Sequence, residues 1–489
     1  MQINIYGISN HKFRVGIRNL INAYAPYYQT IEKDRTVSLY IHSITSNAGV
    51  KVIVKDQANE LYIKKERILT TRDDERTIRY TILQSLFDAL SHLTNHRLAW
   101  GVLSGIRPTK LVHRYKEDGL TEKEIKDHLM SFYYLSDEKS QELIDIVNHQ
   151  YESLPQLKDL RKEISVYINI PFCMTRCTYC SFTAYLRGHT RITPEYYVDC
   201  LCDEIQRFSK VVKELGLTIS TVYIGGGTPT ALTASELARV LEQVEKLIEG
   251  HNIMEYTLEA GRPDTINDEK IRLIKNTSVT RISINPQTFN DQTLIRVNRE
   301  HSVQAIYDCF EMARAHGFDK INMDLILGLP GEGPEDYLDS LEKTIALQPE
   351  SITVHALAIK RKAALREGYD LSDLNQDFNR AFNEGKRCLK EAGYVPYYLY
   401  RQKNIMSGLE NIGYGKDGDF SPYNILMIEE SQTIIGLGCG ASSKFLDYEL
   451  ILNPRDLKTY CETYVEYLEK KIAKLKGSDY LDRSLSTQR

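Results

Sequence analysis

From about residue 164 to residue 357, short β-branched runs alternate with loops rich in Gly, Pro or polar residues and then with amphipathic stretches of helical period. A chain patterned this way folds as parallel strands joined by helices, because a parallel pair needs a long crossover and a helix supplies it. The runs predict strands at Ser165 to Ile170, Thr221 to Ile224, Tyr256 to Glu259, Arg281 to Ile284, Ile321 to Leu327 and Ile352 to Leu357. Helices are expected near Pro194 to Leu215, Ala234 to Ile248, Asp268 to Lys275, Val303 to His316 and Pro334 to Leu347. Six such units suit an α/β fold built as an open, partial (β/α)6 barrel.

Residues 1 to about 160 break the rhythm. Possible strands at Thr36 to His42, Lys51 to Val54 and Glu60 to Lys64 precede helix-rich sequence from Glu75, which reads as an N-terminal α+β accessory domain. A chain of 489 residues exceeds one ordinary core. The expected division is 1–160, a barrel at 161–365 and a C-terminal substrate-covering domain at 366–489. That last part holds a helix around Asp377 to Glu391, a Tyr-rich run from Tyr394 to Tyr400, a glycine-rich stretch, a final charged helix and a frayed tail from Lys470. The segment Gly101 to Lys110 reads as a surface turn or as a connection facing the barrel.

The formal net charge of -4 argues against a general nucleic-acid binder. The longest apolar runs are strand-length and the N-terminus lacks a basic leader, so no membrane partner is expected and the cytoplasm is the default address. Nine cysteines, an odd number without a secretory signal, point to reduced thiols and not to a disulfide scaffold.

Directly after the first barrel strand the chain reads Tyr167-Ile168-Asn169-Ile170-Pro171-Phe172-Cys173-Met174-Thr175-Arg176-Cys177-Thr178-Tyr179-Cys180. Three thiolates at CxxxCxxC spacing can wrap one face of a cuboidal iron–sulfur cluster and leave its fourth iron open to a chelating substrate. A closed structural zinc site needs four ligands, so zinc would require a distant residue such as His189; three free thiols are the other alternative. Tyr179 would set an aromatic ring against the cluster and an adenine, or simply pack the loop. Cys200 and Cys202 face different directions on one expected helix, and Cys309, Cys388 and Cys461 read as small buried hydrophobes. Cys439, inside a glycine-rich stretch, is a candidate for proximity to the site.

In such a barrel the C-terminal ends of the strands converge on one mouth. The second strand ends in Gly225-Gly226-Gly227-Thr228-Pro229-Thr230, the third in Glu259-Ala260-Gly261-Arg262-Pro263, the fourth in Asn285-Pro286-Gln287, and the fifth carries Asp324 before Gly328-Leu329-Pro330. Carboxylates and an amide suit an ammonium group and ribose hydroxyls, and Arg299 is expected to fork onto a ligand carboxylate. Neither a dinucleotide fingerprint nor a Walker A sequence is present.

The Tyr167-to-Cys180 stretch, Gly225 to Thr230 and Ile326-Leu327-Gly328-Leu329-Pro330 together resemble the radical S-adenosylmethionine (SAM) family that contains the oxygen-independent coproporphyrinogen III oxidases, over about residues 164 to 445. The N-terminal region and Tyr400-Arg401-Gln402-Lys403-Asn404 look most like the HemZ-type coproporphyrinogen dehydrogenases. The resemblance implies a 4Fe-4S cluster on Cys173, Cys177 and Cys180, with Tyr167, Gly226, Gly227, Thr228 and Glu259 around the S-adenosylmethionine bound to it. It implies further cofactor contacts from Gln287, Arg299, Asp324 and Ala358, some to a second S-adenosylmethionine. The implied reaction is oxidative decarboxylation of two coproporphyrinogen III propionates to vinyl groups, giving protoporphyrinogen IX, with electrons from a reduced donor such as a flavodoxin or ferredoxin. Tyr398, Arg401 and Lys403 are the candidates for the tetrapyrrole carboxylates. Two positions depart from the relatives: Phe182 stands where the oxidases carry a fourth Cys, and Glu410-Asn411-Ile412-Gly413-Tyr414 stands where related haem chaperones read His-Asn-x-x-Tyr. A haem chaperone and a radical enzyme for another tetrapyrrole are therefore the rival readings.

Overall fold

The computed structural model describes residues 2–6, 11–24, 38–46, 49–55, 61–68, 75–103, 105–358, 378–402, 405 and 408–477. The chain forms two compact units, Met1–Asn148 and His149–Arg489.

The first unit holds a four-stranded sheet in the order Gln2–Tyr6, Ser38–Ser46, Gly49–Lys55 and Leu61–Ile68. Its first pair is parallel and the others are antiparallel. Strand Gln2–Tyr6 is not among the strands expected from the sequence, since its partner lies far along the chain and the run itself is short. The helix Glu75–Thr94 packs against the last two strands and buries Ile82, Leu83, Leu86, Phe87 and Leu90.

In the second unit, the six expected barrel strands are Ile164–Ile170, Ile219–Gly226, Glu255–Glu259, Arg281–Ser283, Ile321–Leu327 and Ser351–Ala356, parallel and in sequence order. The expected helices lie between them, including Pro194–Leu215, Ala234–Ile248, Asp268–Lys275, Val303–Ala315 and Pro334–Leu347. Their starts are fixed locally: Thr193, Thr233, Asn267 and Ser302 each accept a backbone N–H of the first turn. An extra short helix, Asp291–Arg296, follows the fourth strand.

The sheet does not stop at six strands. Beyond the sixth come Asn411–Gly415 and then Val395–Tyr400, both antiparallel; beside the first comes Thr433–Leu437, parallel, followed by Ser442–Lys444 and Leu450–Leu452. Residues 366–489, expected as a separate domain, instead contribute these strands to one hydrogen-bonded, eleven-stranded sheet. An open barrel leaves two rows of unpaired backbone groups at its edges, and the C-terminal segment pairs with both. The last helix runs from Leu457 to Lys476, past the point where fraying is expected, and residues 478–489 lie outside the described residues. Among the described residues no helix is long and apolar enough to cross a membrane.

Two buried ion pairs tie this unit together. On the polar face of the sheet, Arg281 donates Nε to Glu255 Oε2 at 2.8 Å, Nη1 to Ser351 Oγ at 3.0 Å and Nη2 to the Asp419 carbonyl at 2.7 Å. Glu204, on the first barrel helix, accepts from Lys471 Nζ at 3.0 Å, Tyr460 Oη at 2.7 Å and the Gly438 N–H at 2.8 Å. Lys471 also donates to the Gly436 carbonyl at 2.7 Å, so the final helix is fastened to the strand beside the first barrel strand. Breaking a buried pair from one side leaves a buried charge uncompensated. Arg281→Met is expected to lower unfolding stability by about 3–5 kcal/mol, and Arg281→Met with Glu255→Leu by much less, both read from denaturant titration.

Candidate active site

The first barrel strand ends at Ile170, where Pro171 supplies no N–H to continue the ladder. Phe172–Cys173 then pairs with Tyr185–Leu186, so the intervening residues form a loop closed at its base. That loop carries Cys177 and Cys180, with Cys173 at its root. It is held from several sides. Asn298 donates Nδ2 to the Arg176 carbonyl at 2.9 Å, and Thr178 N–H reaches the Val297 carbonyl at 3.1 Å. Arg262 donates Nη1 to the Thr175 carbonyl and to its hydroxyl at 3.1 and 2.9 Å.

Arg262 is itself gripped by both oxygens of Asp264 at 3.0 and 2.9 Å. Burial works against ionisation of Asp264, but its contacts with His301 and Arg262 outweigh that and hold its carboxyl well below the usual carboxylate range. Cys177 Sγ lies 4.0 Å from Arg262 Nη1 and Cys173 Sγ lies 3.5 Å from Thr228 Oγ1. Burial pushes the Cys173 thiol up to about 11, with Thr228 opposing and the other two cysteines adding. All three thiols are half-buried. Among the described residues no three His, Cys, Asp or Glu side chains are drawn together as ligands of one metal ion. The three thiols share one loop and have no fourth ligand among them, and three thiolates are the number that leaves one iron of a cuboidal cluster open.

The glycine triplet brings the second strand's tip against this loop. Gly226 has φ 114°, and a Cβ there would sit 2.1 Å from Asn169 Oδ1; one on Gly227 would sit 2.6 Å from the Phe172 carbonyl. The Gly227 N–H donates to the Ile170 carbonyl at 2.8 Å. Glu259 lies beside them, accepting the Tyr223 hydroxyl at 2.6 Å. Burial pushes its carboxyl up to about 7; Asp324 adds to the shift, and the hydrogen bonds from Tyr223 and the Gly226 N–H oppose it. Tyr223 stacks between Tyr167 and Tyr423, with ring centroids 6.1 and 4.5 Å away. Asn169 accepts from Tyr167 Oη at 3.0 Å and donates to the Cys439 carbonyl at 2.5 Å, which places Cys439 next to the site.

The other expected residues are distributed less simply. Gln287 has φ 67°, donates its N–H to the Asp324 carbonyl at 2.9 Å, and leaves Oε1 buried without a partner, as does Asn285 with Oδ1. Asp324 accepts Asn322 Nδ2 at 2.7 Å and lies 3.9 Å from His355 Nε2. Arg299 does not present the expected fork to a ligand carboxylate. Its Nη2 donates to the carbonyls of Gly261 and Asn285 at 3.1 and 2.7 Å, and Nη1 to Tyr179 Oη at 3.2 Å. Loop carbonyls with no strand partner claim those donors first. Tyr179 packs against Val297, Ile326, Leu329 and Leu357. Ala358 bridges to Ile405.

A cavity of about 510 Å³ adjoins the cysteine loop, bounded by Tyr167, Asn169, Tyr223, Gly226, Phe182 and Tyr423 among others. Tyr398 and Arg401 are not on its wall. Tyr398 is buried, with its hydroxyl 3.1 Å from Thr353 Oγ1. Burial lowers the Arg401 guanidinium to about 10, with Glu410 opposing. Lys403 lies outside the described residues. Tyr223, Asn169 and Arg262 are not among the site residues expected from the sequence. A signal for Tyr223 does exist: in a parallel pair it falls directly opposite Tyr167.

Residues 167–344 match the model of the Radical SAM superfamily. Over 96% of this chain and 97% of the relative, the sequence is 37% identical to the oxygen-independent coproporphyrinogen-III oxidase-like protein HemZ of Bacillus subtilis. The chain belongs to the radical SAM family, in its HemZ-type branch. Membership implies a 4Fe-4S cluster and S-adenosylmethionine as cofactors. The heme chaperone HemW of Haemophilus influenzae is 29% identical over 58% of this radical SAM protein and 70% of its own length. The solved coproporphyrinogen III oxidase HemN of Escherichia coli is 23% identical, with a TM-score of 0.49, over 64% of this chain and 72% of that one.

The buried carboxyl gives a pH signature. Its pKa in the folded protein, about 7, lies above the ordinary 4.5, so the folded state keeps a proton that the unfolded chain has lost. The associated stability is full below the ordinary value and lost as pH rises through about 7. Glu259→Gln is expected to flatten the fall in urea midpoint between about pH 4.5 and 7; an unchanged slope would place that titration elsewhere.

Proposed function

We propose that this radical SAM protein carries out the oxygen-independent oxidative decarboxylation of coproporphyrinogen III propionates to vinyl groups, giving protoporphyrinogen IX. The observation that carries the reading is identity to HemZ along nearly the whole chain, accessory unit included, and not over the shared barrel alone.

In this reading Cys173, Cys177 and Cys180 hold the cluster. Arg262 keeps their loop in place through Thr175 and sets a cation beside Cys177, where thiolate charge collects. Glu259 receives the ammonium group of S-adenosylmethionine beside the half-buried backbone of Gly226 and Gly227, whose missing Cβ atoms let the strand tip pack on Asn169 and Phe172. Thr228 sits at the Cys173 sulfur, and Tyr167 orients Asn169, two residues further along the same strand. Gln287 and Asp324 offer an amide and a carboxylate to the remaining polar parts of one or two such cofactors, Ala358 supplies backbone, and Arg299 fixes the loops that carry Gly261 and Asn285. The chemistry supplied by the bound pair is reductive cleavage to methionine and a 5′-deoxyadenosyl radical able to abstract hydrogen from a propionate β-carbon. Walls of tyrosine around the cavity keep water from a reactive carbon centre. A reduced flavodoxin or ferredoxin supplies the electron, and the protein works in the cytoplasm.

A haem chaperone is the second reading, favoured by the HemW matches and by Phe182 in place of a fourth cysteine. Anaerobic incubation of the reconstituted, reduced protein with S-adenosylmethionine and coproporphyrinogen III separates the two. Protoporphyrinogen and carbon dioxide are expected; stable haem binding with no product would replace the enzyme reading by the chaperone.

Two measurements bear on the cofactor residues. Cys177→Ala is expected to lose most of the bound iron and the cluster's visible absorbance after anaerobic reconstitution. Affinity for S-adenosylmethionine should fall as pH is lowered through about 7, because the protonated Glu259 no longer pairs with an ammonium group. Glu259→Gln should abolish that dependence and weaken binding roughly 10- to 100-fold, the loss typical of one charge-assisted hydrogen bond.

A further inference from the structure

The cavity beside the cysteine loop is walled by two cationic side chains, Lys444 and Arg455, and by no acidic one among the described residues. Both come from the C-terminal segment, on the side of the first barrel strand, whereas Tyr398 and Arg401 belong to the opposite end of the sheet. Lys444 ends the strand Ser442–Lys444, stands across from Ile434 and is paired with Glu430. Arg455 is exposed. Its main chain is anchored, the carbonyl accepting Tyr185 Oη at 2.7 Å and Cys439 Sγ at 3.4 Å, while its guanidinium has no hydrogen bond or ion pair among the described residues. An arginine fixed at its backbone and uncommitted at its charge is ready for an anion.

The rest of the cavity constrains what that anion belongs to. Phe182 is 65% exposed and Leu450 is 55% exposed, two large apolar side chains at a cavity lip that water would otherwise wet. Tyr167, Tyr223 and Tyr423 form an aromatic wall deeper in. A volume of about 510 Å³ falls in the range of small-molecule sites. Aromatic wall, apolar lip and two cations match a flat, amphipathic polycarboxylate, and an inorganic anion or a neutral lipid would use only part of that surface. We propose that Lys444 and Arg455 bind the carboxylates of the tetrapyrrole, with its ring system against Phe182 and Leu450. This assignment rests on the substrate class of the proposed function. It also gives Phe182 a part to play: an apolar contact for the substrate in the position where the oxidases carry a cysteine.

The test is fluorescence titration of the anaerobically reconstituted full-length protein with coproporphyrin III and, separately, with its uncharged tetramethyl ester. Circular dichroism and iron content verify that each variant is folded. Arg455→Ala and Lys444→Gln are each expected to weaken coproporphyrin III binding about 5- to 20-fold, as for loss of one charge-assisted contact. Binding of the ester should change less than about twofold in either variant, the pattern of a carboxylate-specific loss. Arg401→Ala is expected to lose less than Arg455→Ala. Unchanged acid affinity in the double variant, equal losses for acid and ester, or a larger loss in Arg401→Ala would each overturn the assignment. If the native protein binds the acid while the variants bind it equally well, the subsite alone falls. If the native protein binds neither porphyrin, the tetrapyrrole reading falls and takes the subsite with it.

Discussion

The parallel register between the first two barrel strands sets most of the geometry at the barrel mouth. It places Tyr167 opposite Tyr223, Asn169 opposite Gly225 and Ile170 opposite Gly226. With successive side chains alternating between faces, one row of that pairing is apolar and lies under the helices, while the other carries the tyrosines, the asparagine and, one strand further, Glu259. The same register brings the Gly227 N–H to the Ile170 carbonyl, so the root of the cysteine loop is tied to the glycine triplet. A slip of one residue would turn Tyr167 and Asn169 into the helix layer and point Val166 and Ile168 at the mouth.

Much of this is legible in the sequence because the signals are local. The barrel strands are β-branched runs buried on both faces, the helices between them carry their own caps, and the cysteines stand at fixed spacing within eight residues. Tyr167, Gly226 and Glu259 gather at one end of the sheet because strand order alone dictates it. The features that sequence patterns do not reveal depend on contacts between distant segments. Thr433–Leu437 merges into a glycine-rich stretch that looks like a loop, and only pairing with Ile164–Ile170 makes it a strand. The Arg299 side chain matches a plausible ligand, but its nearest acceptors are two loop carbonyls that no pattern in the chain reveals. Arg401 reads as a surface cation beside tyrosines; its lowered pKa reflects burial at the other end of the sheet.

Electrostatics divides the site into two kinds of carboxylate. Asp264 is held ionised by Arg262 and His301 and serves the loop that carries the cysteines. Glu259, in a drier setting with a tyrosine hydroxyl for company, gives up its proton far less readily. The first is a fixed anchor already paired within the protein. The second has hydrogen bonds from Tyr223 and the Gly226 N–H but no cationic partner among the causes of its shift, so burial disfavours its charged form.

The Glu204–Lys471 pair joins a helix that comes after the cysteine loop to the last helix described, and Lys471 also reaches the Gly436 carbonyl. In order of synthesis these partners are separated by most of the barrel. A ribosome therefore releases the cysteine loop, the glycine triplet and Glu259 long before it makes Lys444, Arg455 and the helix that holds their segment down. The thiols exist as a complete set while one wall of the neighbouring chamber has yet to be translated, so the order of synthesis is cysteine loop first, enclosure last.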